Sequence, residues 1–560
     1  MTLLIAVTAA ALMGAAAPPA RAVPCELIST QALGVPGLRI TRAARVTGES
    51  PFPDYCLVQG KVHERTGIDG RSYAIGFELR LPVRASWNGR LLQQANGGAD
   101  GAVLPAVGLD NSVGGVSALQ RGFAVLSTDG GHDGADPANL SYGLAQGSAF
   151  GLDPQARIDY GYGANQTLAP IAKYVVLRVY GRLPAYSYMM GCSNGGRQGM
   201  VAATRFPWAY DGILAGDPGF NLPKAAVQHA WDVQSWLQVS PDITKAFSPG
   251  DLQLVADQVL RTCDDLDGVA DGMVNDVVAC QRVFHLPALQ CPGDKEATCL
   301  SASQVAALAR SFAGPRSSAG AQLYSDWPFD AGLGGADWRF WKLESPIPPW
   351  SNLPLIAVMG AASLSYDFVT PPVATPGTPD DLLSFLAGFS FDEDAPRIFA
   401  TDSTFTQSAM RFMTPTDAAH PRMPAFKALG RKMIVYHGQS DPVFSYNDTA
   451  RWYSALARNH RGDASDFVRL FSVPGMNHCA GGPATDQFDA LTALMDWVEK
   501  GVAPERLLAT VNPLNPEVPP AWSPTRSRPL CPFPKIAVHD GRGDVERAGS
   551  FTCERPRSPR

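Results

Sequence analysis

A single serine stands between glycines in the segment GCSNGG, residues 191–196. The residues before it, AYSYMM (185–190), are typical of a short buried strand, and GGRQGMVAATRF (195–206) is typical of a helix. A G-x-S-x-G segment between a strand and a helix predicts a sharp turn that presents the hydroxyl of Ser193 at one end of a sheet. Glycines permit the close backbone approach that such a turn requires. The fold must therefore place a strand, this turn and a helix in immediate succession.

Other segments predict strands and helices that alternate along the chain. Residues 72–81, SYAIGFELRL, alternate apolar side chains with polar ones such as Glu78, which predicts a half-buried strand. An amphipathic helix that ends at Gly501 is predicted by the spacing of Phe488, Leu491, Met495 and Val498. This alternation favours an α/β fold with a mostly parallel sheet.

Residues 220–418 differ from the segments on either side. They are rich in Pro, Gly and Trp, carry four cysteines in a short span and show no strand–helix alternation. We predict that they form a lid inserted into an α/β domain built from residues 23–219 and 419–560. Residues 1–22 are predicted to be a signal peptide, because a short apolar run ends in the A-x-A-like sequence Ala20–Ala22.

A serine hydroxyl becomes a useful nucleophile only with a base nearby and a third group that orients the base. In folds with this turn, the acid and then the histidine follow the serine, each after a strand. KMIVYHGQSDP (432–442) is typical of a buried strand followed by Asp441, and FVRLFSVPGMNHC (467–479) of a strand followed by His478. We therefore predict a triad of Ser193, His478 and Asp441.

Four other residues compete for the same roles. His132 precedes the serine in the chain, which is the wrong order, and His437 at a strand end is more typical of a structural histidine. Asp448 and Asp486 are alternative acids, although either position also suits a carboxylate at a helix terminus.

Acyl transfer also needs N–H donors aimed at the developing oxyanion. The backbone of Asn194, the residue after the serine, is one candidate. The second is expected in the glycine-rich loop LLQQANGGADG (91–101), and Gly98 is our choice within it. The alternative for this loop is a flexible hairpin.

Cysteines flank two of the predicted catalytic residues. Cys192 precedes Ser193 and Cys479 follows His478, so a disulfide becomes possible if the serine and histidine touch. The chain has ten cysteines, an even number typical of a disulfide-bonded exported protein. With the signal sequence, this predicts a secreted or periplasmic protein.

Charge and motif content limit the partners. The formal net charge is −6 and no basic tract is present, which argues against nucleic acid as a ligand. No later stretch is predicted to span a membrane, and no G-x-G-x-x-G motif suggests an organic cofactor. A small-molecule substrate is expected, and the sequence leaves the oligomeric state open.

The chain resembles the tannase and feruloyl esterase family along nearly its whole length after the signal sequence. The resemblance rests on the pairing of CS with HC around an intervening acid. It also rests on segments such as RTGIDG, FGLDPQAR, YGRLPAYSYMMGCSNGGRQGM, RFPWAYDGILAGDPG, VPGMNHCAGGPATDQFD and RPLCPFP. It implies an α/β-hydrolase domain with a large lid, and the disulfides Cys25–Cys56, Cys192–Cys479, Cys263–Cys280, Cys291–Cys299 and Cys531–Cys553.

The segment CDDLDGVADGMV in the predicted lid crowds carboxylates without basic residues. Such oxygens suit Ca²⁺, although the spacing is not that of an EF-hand, and a solvated acidic turn is the alternative. The resemblance implies a structural calcium ion held by the carboxylates of Asp264, Asp267 and Asp271 and by the backbone carbonyls of Val269 and Met273.

Substrates in this family are esters of aromatic acids. The resemblance places Trp341, Phe444, Ser363 and Met359 at substrate-contacting positions, although Trp341 and Phe444 would also suit an ordinary core. Enzymes of the terephthalate type hold a substrate carboxylate with a lid arginine, and Leu355 stands at that position here. Because arginine suits a carboxylate, its absence favours a neutral aromatic ester.

We therefore expect a secreted serine carboxylic-ester hydrolase that acts on feruloyl, galloyl or terephthalate-type esters through an acyl-enzyme. The alternatives are a mono(2-hydroxyethyl) terephthalate hydrolase proper, a non-catalytic binding protein on the same fold, and a secreted peptidase.

Overall fold

The computed structural model describes residues 22–556, so the predicted signal peptide lies almost entirely outside the described residues. The strands are β1 (Leu38–Val46), β2 (Tyr55–Thr66), β3 (Ser72–Pro82), β4 (Arg90–Gln94), β5 (Ala124–Thr128), β6 (Tyr186–Cys192), β7 (Gly212–Gly216), β8 (Lys432–Gly438), β9 (Val468–Val473), β10 (Gln487–Phe488), β11 (Leu507–Thr510), β12 (Ser527–Leu530), β13 (Ile536–His539) and β14 (Phe551–Glu554).

The α-helices are α1 (Thr30–Leu33), α2 (Pro154–Ile158), α3 (Ala164–Tyr180), α4 (Asn194–Arg205), α5 (Leu222–Trp236), α6 (Pro249–Cys263), α7 (Val277–Val283), α8 (Ala302–Ala313), α9 (Ala336–Lys342), α10 (Pro379–Ala387), α11 (Ala409–Met413), α12 (Pro424–Ala428), α13 (Tyr446–Asn459) and α14 (Ala490–Lys500). Within the described residues, none of these helices combines the length and apolarity needed to cross a membrane.

Nine strands of the described chain form one sheet in the order β1-β2-β3-β5-β4-β6-β7-β8-β9. β1, β2, β3 and β5 pair antiparallel, whereas the pairs from β5 through β4, β6, β7 and β8 to β9 are parallel. The mostly parallel sheet predicted from sequence is thus confirmed. Because parallel strands end at one edge, the loops after β4, β6, β7, β8 and β9 converge there.

The chain between β7 and β8 is helical and holds α5 to α12. Its apolar residues form one large buried cluster that also includes Val443 and Phe444, which follow β8. This segment is therefore packed against the edge of the sheet where the strand ends converge.

Two local predictions are wrong. β3 is buried on both faces rather than on one. Its apolar side chains pack in a core cluster, and the segment between β4 and β5 covers the opposite face, where the N–H group of Ala106 donates to Glu78 at 3.1 Å. Glu78 is buried at 5% exposure and accepts hydrogen bonds from Gln59 at 2.8 Å and Arg80 at 2.7 Å, which satisfies its carboxylate. Phe488 lies in β10 and not in the helix, which begins at Ala490.

All five disulfides implied by the family resemblance are present in the structure. They are Cys25–Cys56, Cys192–Cys479, Cys263–Cys280, Cys291–Cys299 and Cys531–Cys553. No cysteine of the described chain is left unpaired.

Candidate active site

The turn at Ser193 joins the end of β6 to the start of α4. Ser193 has φ of 64° and ψ of −125°, a backbone conformation that is costly for a residue with a side chain. A Cβ atom on Gly191 or on Gly195 would lie 2.3 Å from the carbonyl oxygen of Ala95. Both glycines are therefore needed, because they let the loop after β4 pass directly beside the serine.

His478 follows β9 and is oriented by a carboxylate that follows β8. Its Nδ1 lies 2.9 Å from Oδ2 of Asp441. The other oxygen of Asp441 accepts hydrogen bonds from the N–H groups of Val443 at 2.7 Å and Phe444 at 3.1 Å. Nε2 of His478 is buried and has no hydrogen-bond partner within residues 22–556. An imidazole held in this way can accept a proton at Nε2.

Asp441 and His478 shift each other's pKa in opposite directions. Burial raises the pKa of Asp441, but the charges and hydrogen bonds of His478 and His437 outweigh burial and hold it well below the usual range. Burial lowers the pKa of His478, but Asp441 outweighs that effect and raises it above the ordinary value. The pair therefore favours an ionised carboxylate next to an imidazole that is readily protonated.

The disulfide Cys192–Cys479 connects the two sides of this site. The Cα atoms of the two cysteines are 5.9 Å apart. Because Cys192 precedes Ser193 and Cys479 follows His478, the bond fastens the serine turn to the histidine loop. The bond predicted from the flanking cysteines is confirmed.

Asp217, which follows β7, is a site residue that sequence reasoning missed. It is fully buried with φ of 35°, and its two oxygens accept hydrogen bonds from the N–H groups of Gly438 at 2.6 Å and Cys479 at 2.9 Å. It thus joins the acid loop to the histidine loop. Burial raises its pKa to about 6. The available signal was an aspartate at a strand end in AGDPG, between the serine and the acid.

The two competing histidines are enclosed by other parts of the protein, although His437 also contacts Asp441. His437 is buried in β8, where Nδ1 lies 2.9 Å from Oγ1 of Thr449. Its Nε2 lies 3.1 Å from the carbonyl oxygen of Phe444 and 3.3 Å from Oδ2 of Asp441, so it also supports the acid. The ring of His132 stacks on Phe150 with centroids 3.8 Å apart, and burial lowers the pKa of His132 to about 3. Both rings are packed as structural side chains.

The two competing acids are also bound elsewhere. Asp448 accepts a hydrogen bond from Nδ2 of Asn221 at 2.9 Å. Asp486 accepts one from the N–H group of Gly481 at 2.9 Å. The hydrogen bond from His478 therefore goes to Asp441 and to neither of them.

The expected oxyanion donors lie beside the serine. Asn194 is the first residue of α4, where backbone N–H groups lack intrahelical acceptors. Gly98 has φ of 61°, and its carbonyl oxygen accepts a hydrogen bond from the hydroxyl of Tyr160 at 3.1 Å. Asp100 in the same loop accepts hydrogen bonds from Asn194 at 3.1 Å and Gln198 at 2.9 Å. The loop is therefore fixed to α4 and is not a flexible hairpin.

A pocket opens at Ser193. All four positions predicted to contact substrate, Trp341, Phe444, Ser363 and Met359, line it together with Leu355. The ring of His478 meets Trp341 and Phe444 edge-on, with centroids 5.0 Å and 5.4 Å away. The remaining lining residues are Gly98, Ala99, Tyr160, Ser193, Asn194, Leu222, His229, Ile356, Gly360, Phe368 and Val443. Sequence reasoning did not identify His229, because it stands in a helix without a surrounding motif.

The acidic segment after α6 has an excess of negative charge. Asp264 accepts hydrogen bonds from the backbone N–H groups of residues 271–273 at 2.9–3.2 Å, and Asp267 accepts one from Asn275. Oδ2 of Asp271 pairs with Arg528, but its buried Oδ1 has no hydrogen-bond partner in the described chain. Hard oxygen donors, one of them unpaired, fit a Ca²⁺ ion, which would share Asp264 with the backbone.

Comparisons with known proteins place the chain in a family. Residues 56–554 match the family described as "Tannase and feruloyl esterase". Mono(2-hydroxyethyl) terephthalate hydrolase of Piscinibacter sakaiensis is 43% identical over 552 residues, covering 92% of this chain and 87% of the relative. A probable feruloyl esterase of Arthroderma benhamiae is 27% identical, covering 94% and 93%. Feruloyl esterase B of Aspergillus oryzae superposes with a TM-score of 0.69 at 23% identity, covering 95% and 99%.

The fold is that of an α/β-hydrolase, and the molecule is a carboxylic ester hydrolase. The chain belongs to the tannase and feruloyl esterase family.

Proposed function

We propose that the protein hydrolyses esters of aromatic carboxylic acids through a triad of Ser193, His478 and Asp441. The observation that carries the proposal is that the serine turn, the histidine loop and the acid are connected to one another. Ser193 stands on a strained turn that a disulfide fastens to the loop of His478, whose Nδ1 is bound by Asp441. The relatives named above, which act on terephthalate or feruloyl esters, support an aromatic acyl group.

In this mechanism the hydroxyl of Ser193 attacks the ester carbonyl carbon while Nε2 of His478 takes its proton. The N–H groups of Asn194 and Gly98 stabilise the oxyanion of the tetrahedral intermediate. His478 then gives the proton to the leaving alcohol, and an acyl-enzyme remains. Water, deprotonated by His478, attacks the acyl carbon of this ester. The second tetrahedral intermediate then collapses, the acyl–Oγ bond breaks, and His478 returns the proton to Ser193 as the acid is released. Asp441 keeps the proton of the neutral imidazole on Nδ1 and stabilises the imidazolium.

The pocket favours an acyl group without charge. Leu355 lines it where terephthalate-type enzymes are expected to carry arginine, and no lysine or arginine of the described chain is among the lining residues. A carboxylate moved from water into such a pocket would lose its hydration without gaining a cation. We therefore propose neutral hydroxycinnamate, gallate or bis-ester substrates ahead of mono-anionic terephthalate.

The test is to compare initial rates on methyl ferulate, methyl gallate, mono(2-hydroxyethyl) terephthalate and the corresponding bis-ester. We expect hydrolysis of neutral esters, a lower rate on the mono-anion and none with Ser193→Ala. A protein that cleaves none of the four esters in calcium-containing buffer would contradict the proposed function. Preference for the mono-anion would instead contradict the argument from Leu355.

The activity should depend on pH through His478. The base must be neutral, so kcat/KM on a neutral ester should fall as the pH falls through the pKa of His478. Asp441 raises this pKa, so the loss should be centred above the ordinary value of about 6.5. The measurement is a pH–rate profile, with circular dichroism at each pH to show that the fold persists. Full activity maintained down to pH 5 would contradict this role.

We also propose that Asp264, Asp267 and Asp271, with the carbonyl oxygens of Val269 and Met273, hold a structural calcium ion. A bound ion would neutralise the excess charge and stabilise the folded state by mass action.

Removing calcium with a chelator should therefore lower the melting temperature by several degrees. Metal analysis of the purified protein should find calcium in wild type and in Asp265→Asn, which changes an exposed neighbour. Asp267→Asn should lose both the metal and the response to chelator. Equal melting curves with and without chelator would count against the site.

Export is proposed as well. Five disulfides within residues 22–556 support an oxidising compartment. N-terminal sequencing of the mature protein should find Val23 first.

A further inference from the structure

His229 occupies an unusual position for a polar side chain. It stands in α5, lines the same pocket as Ser193, and is only 5% exposed. A Cβ atom on Gly360 would lie 2.6 Å from Cδ2 of His229, so glycine at 360 makes room for the imidazole. The chain thus accommodates this ring within the wall of the pocket.

The surroundings of His229 are mostly apolar. Neighbouring lining residues include Leu222, Ile356, Met359 and Phe368. Nδ1 of His229 is buried and has no hydrogen-bond partner within the described residues. Buried polar groups are almost always hydrogen-bonded, so an unpaired one in a ligand pocket indicates that a ligand provides the partner.

The charge state of His229 limits what that partner can be. Burial, with a further contribution from the ammonium group of Lys342, lowers the pKa of His229 to about 3. Lys342 itself is buried and paired with Asp232, so it does not face the pocket as a free cation. A neutral imidazole offers one donor and one acceptor. This suits a hydroxyl group, which can accept and donate, better than a carboxylate.

We propose that His229 is a specificity-determining residue that binds a phenolic hydroxyl on the aromatic acyl group of the substrate. This inference rests on the proposed function, because it assumes that the acyl group occupies the pocket at Ser193. It assigns ring-hydroxyl recognition to α5 rather than to the segment that carries Leu355.

The test uses two esters that differ by one hydroxyl, methyl 4-hydroxycinnamate and methyl cinnamate. Wild type should show a kcat/KM about tenfold higher for the hydroxylated ester, since one buried hydrogen bond is gained. His229→Leu should reduce this ratio to near one, by slowing the hydroxylated ester and not the other. His229→Asn, which keeps a donor and an acceptor, should restore part of the preference. His285→Leu, which removes an exposed histidine, should leave both rates unchanged.

A second measurement does not depend on turnover. Calorimetric binding of both esters to Ser193→Ala should show the same preference, and Ser193→Ala combined with His229→Leu should lose it. The proposed function fails separately if wild type cleaves neither these two esters nor any of the four named above, and the binding preference then decides the role of His229. Equal effects of His229→Leu on both esters, in turnover and in binding, would overturn the inference.

Discussion

Replacing Ser193 by alanine should reduce kcat on a cleaved ester by a factor on the order of 10⁶, the scale seen when a serine nucleophile is removed from a triad. Without the hydroxyl no acyl-enzyme can form, and water must attack the bound ester directly. The variant should still bind substrate, because the pocket lining is otherwise unchanged. The measurement is kcat from purified protein, together with a burst experiment that detects the acyl-enzyme in wild type only.

Ser86→Ala provides the matched control, because Ser86 is exposed and does not line the pocket at Ser193. It should retain full activity and an unchanged melting temperature. His478→Ala should cost about as much as Ser193→Ala, and the double variant should be little worse than either, since the two residues act as a unit. Losses that multiply would show that the residues act independently, against the triad.

Changing Asp441 to asparagine should lower kcat by about 10⁴. Oδ2 of Asp441 accepts a hydrogen bond from Nδ1 of His478 and so leaves Nε2 free as the base. The amide of asparagine would donate to Nδ1 instead, which favours the tautomer with its proton on Nε2. The imidazolium would also lose its neighbouring charge.

Asp448→Asn and Asp486→Asn are the controls for Asp441→Asn, because the sequence leaves both as alternative acids. Each accepts a hydrogen bond from a group outside the triad, so its replacement should reduce activity far less. A greater loss in either variant than in Asp441→Asn would mean that the acid has been assigned wrongly.

Much of the fold could be predicted from sequence because the signals are local. The strand, G-x-S-x-G turn and helix around Ser193 follow from hydrophobic spacing and glycine, and the structure places β6 and α4 there. The antiparallel pairing of β1, β2, β3 and β5 could not be predicted in the same way, since it depends on contacts between distant strands. Glu78 is an example. The alternation of apolar and polar residues predicted that its face of β3 would be exposed, but other segments cover that face.

The residues of the site also differ in whether the sequence could predict them. Residues that follow a strand in the order required by the chemistry, such as Asp441 and His478, could be predicted from chain order. Asp217 also follows a strand, but its contribution is hydrogen bonds to two loops whose proximity only the structure reveals. His229 is an ordinary helical position until the packing of Gly360 against it is known.

The bond between Cys192 and Cys479 has a consequence for how active molecules are counted. The two cysteines are 287 residues apart, so the ribosome has to make the entire helical segment between them before the bond can close. Formation of this disulfide therefore shows that the serine turn and the histidine loop have come together in the same molecule. In any preparation, alkylating the free thiols and locating the label at Cys192 and Cys479 would measure the fraction of unassembled sites before a substrate is added, separately from the other four disulfides. Rates divided by the fraction in which Cys192 and Cys479 are bonded, rather than by total protein, would then be comparable between preparations.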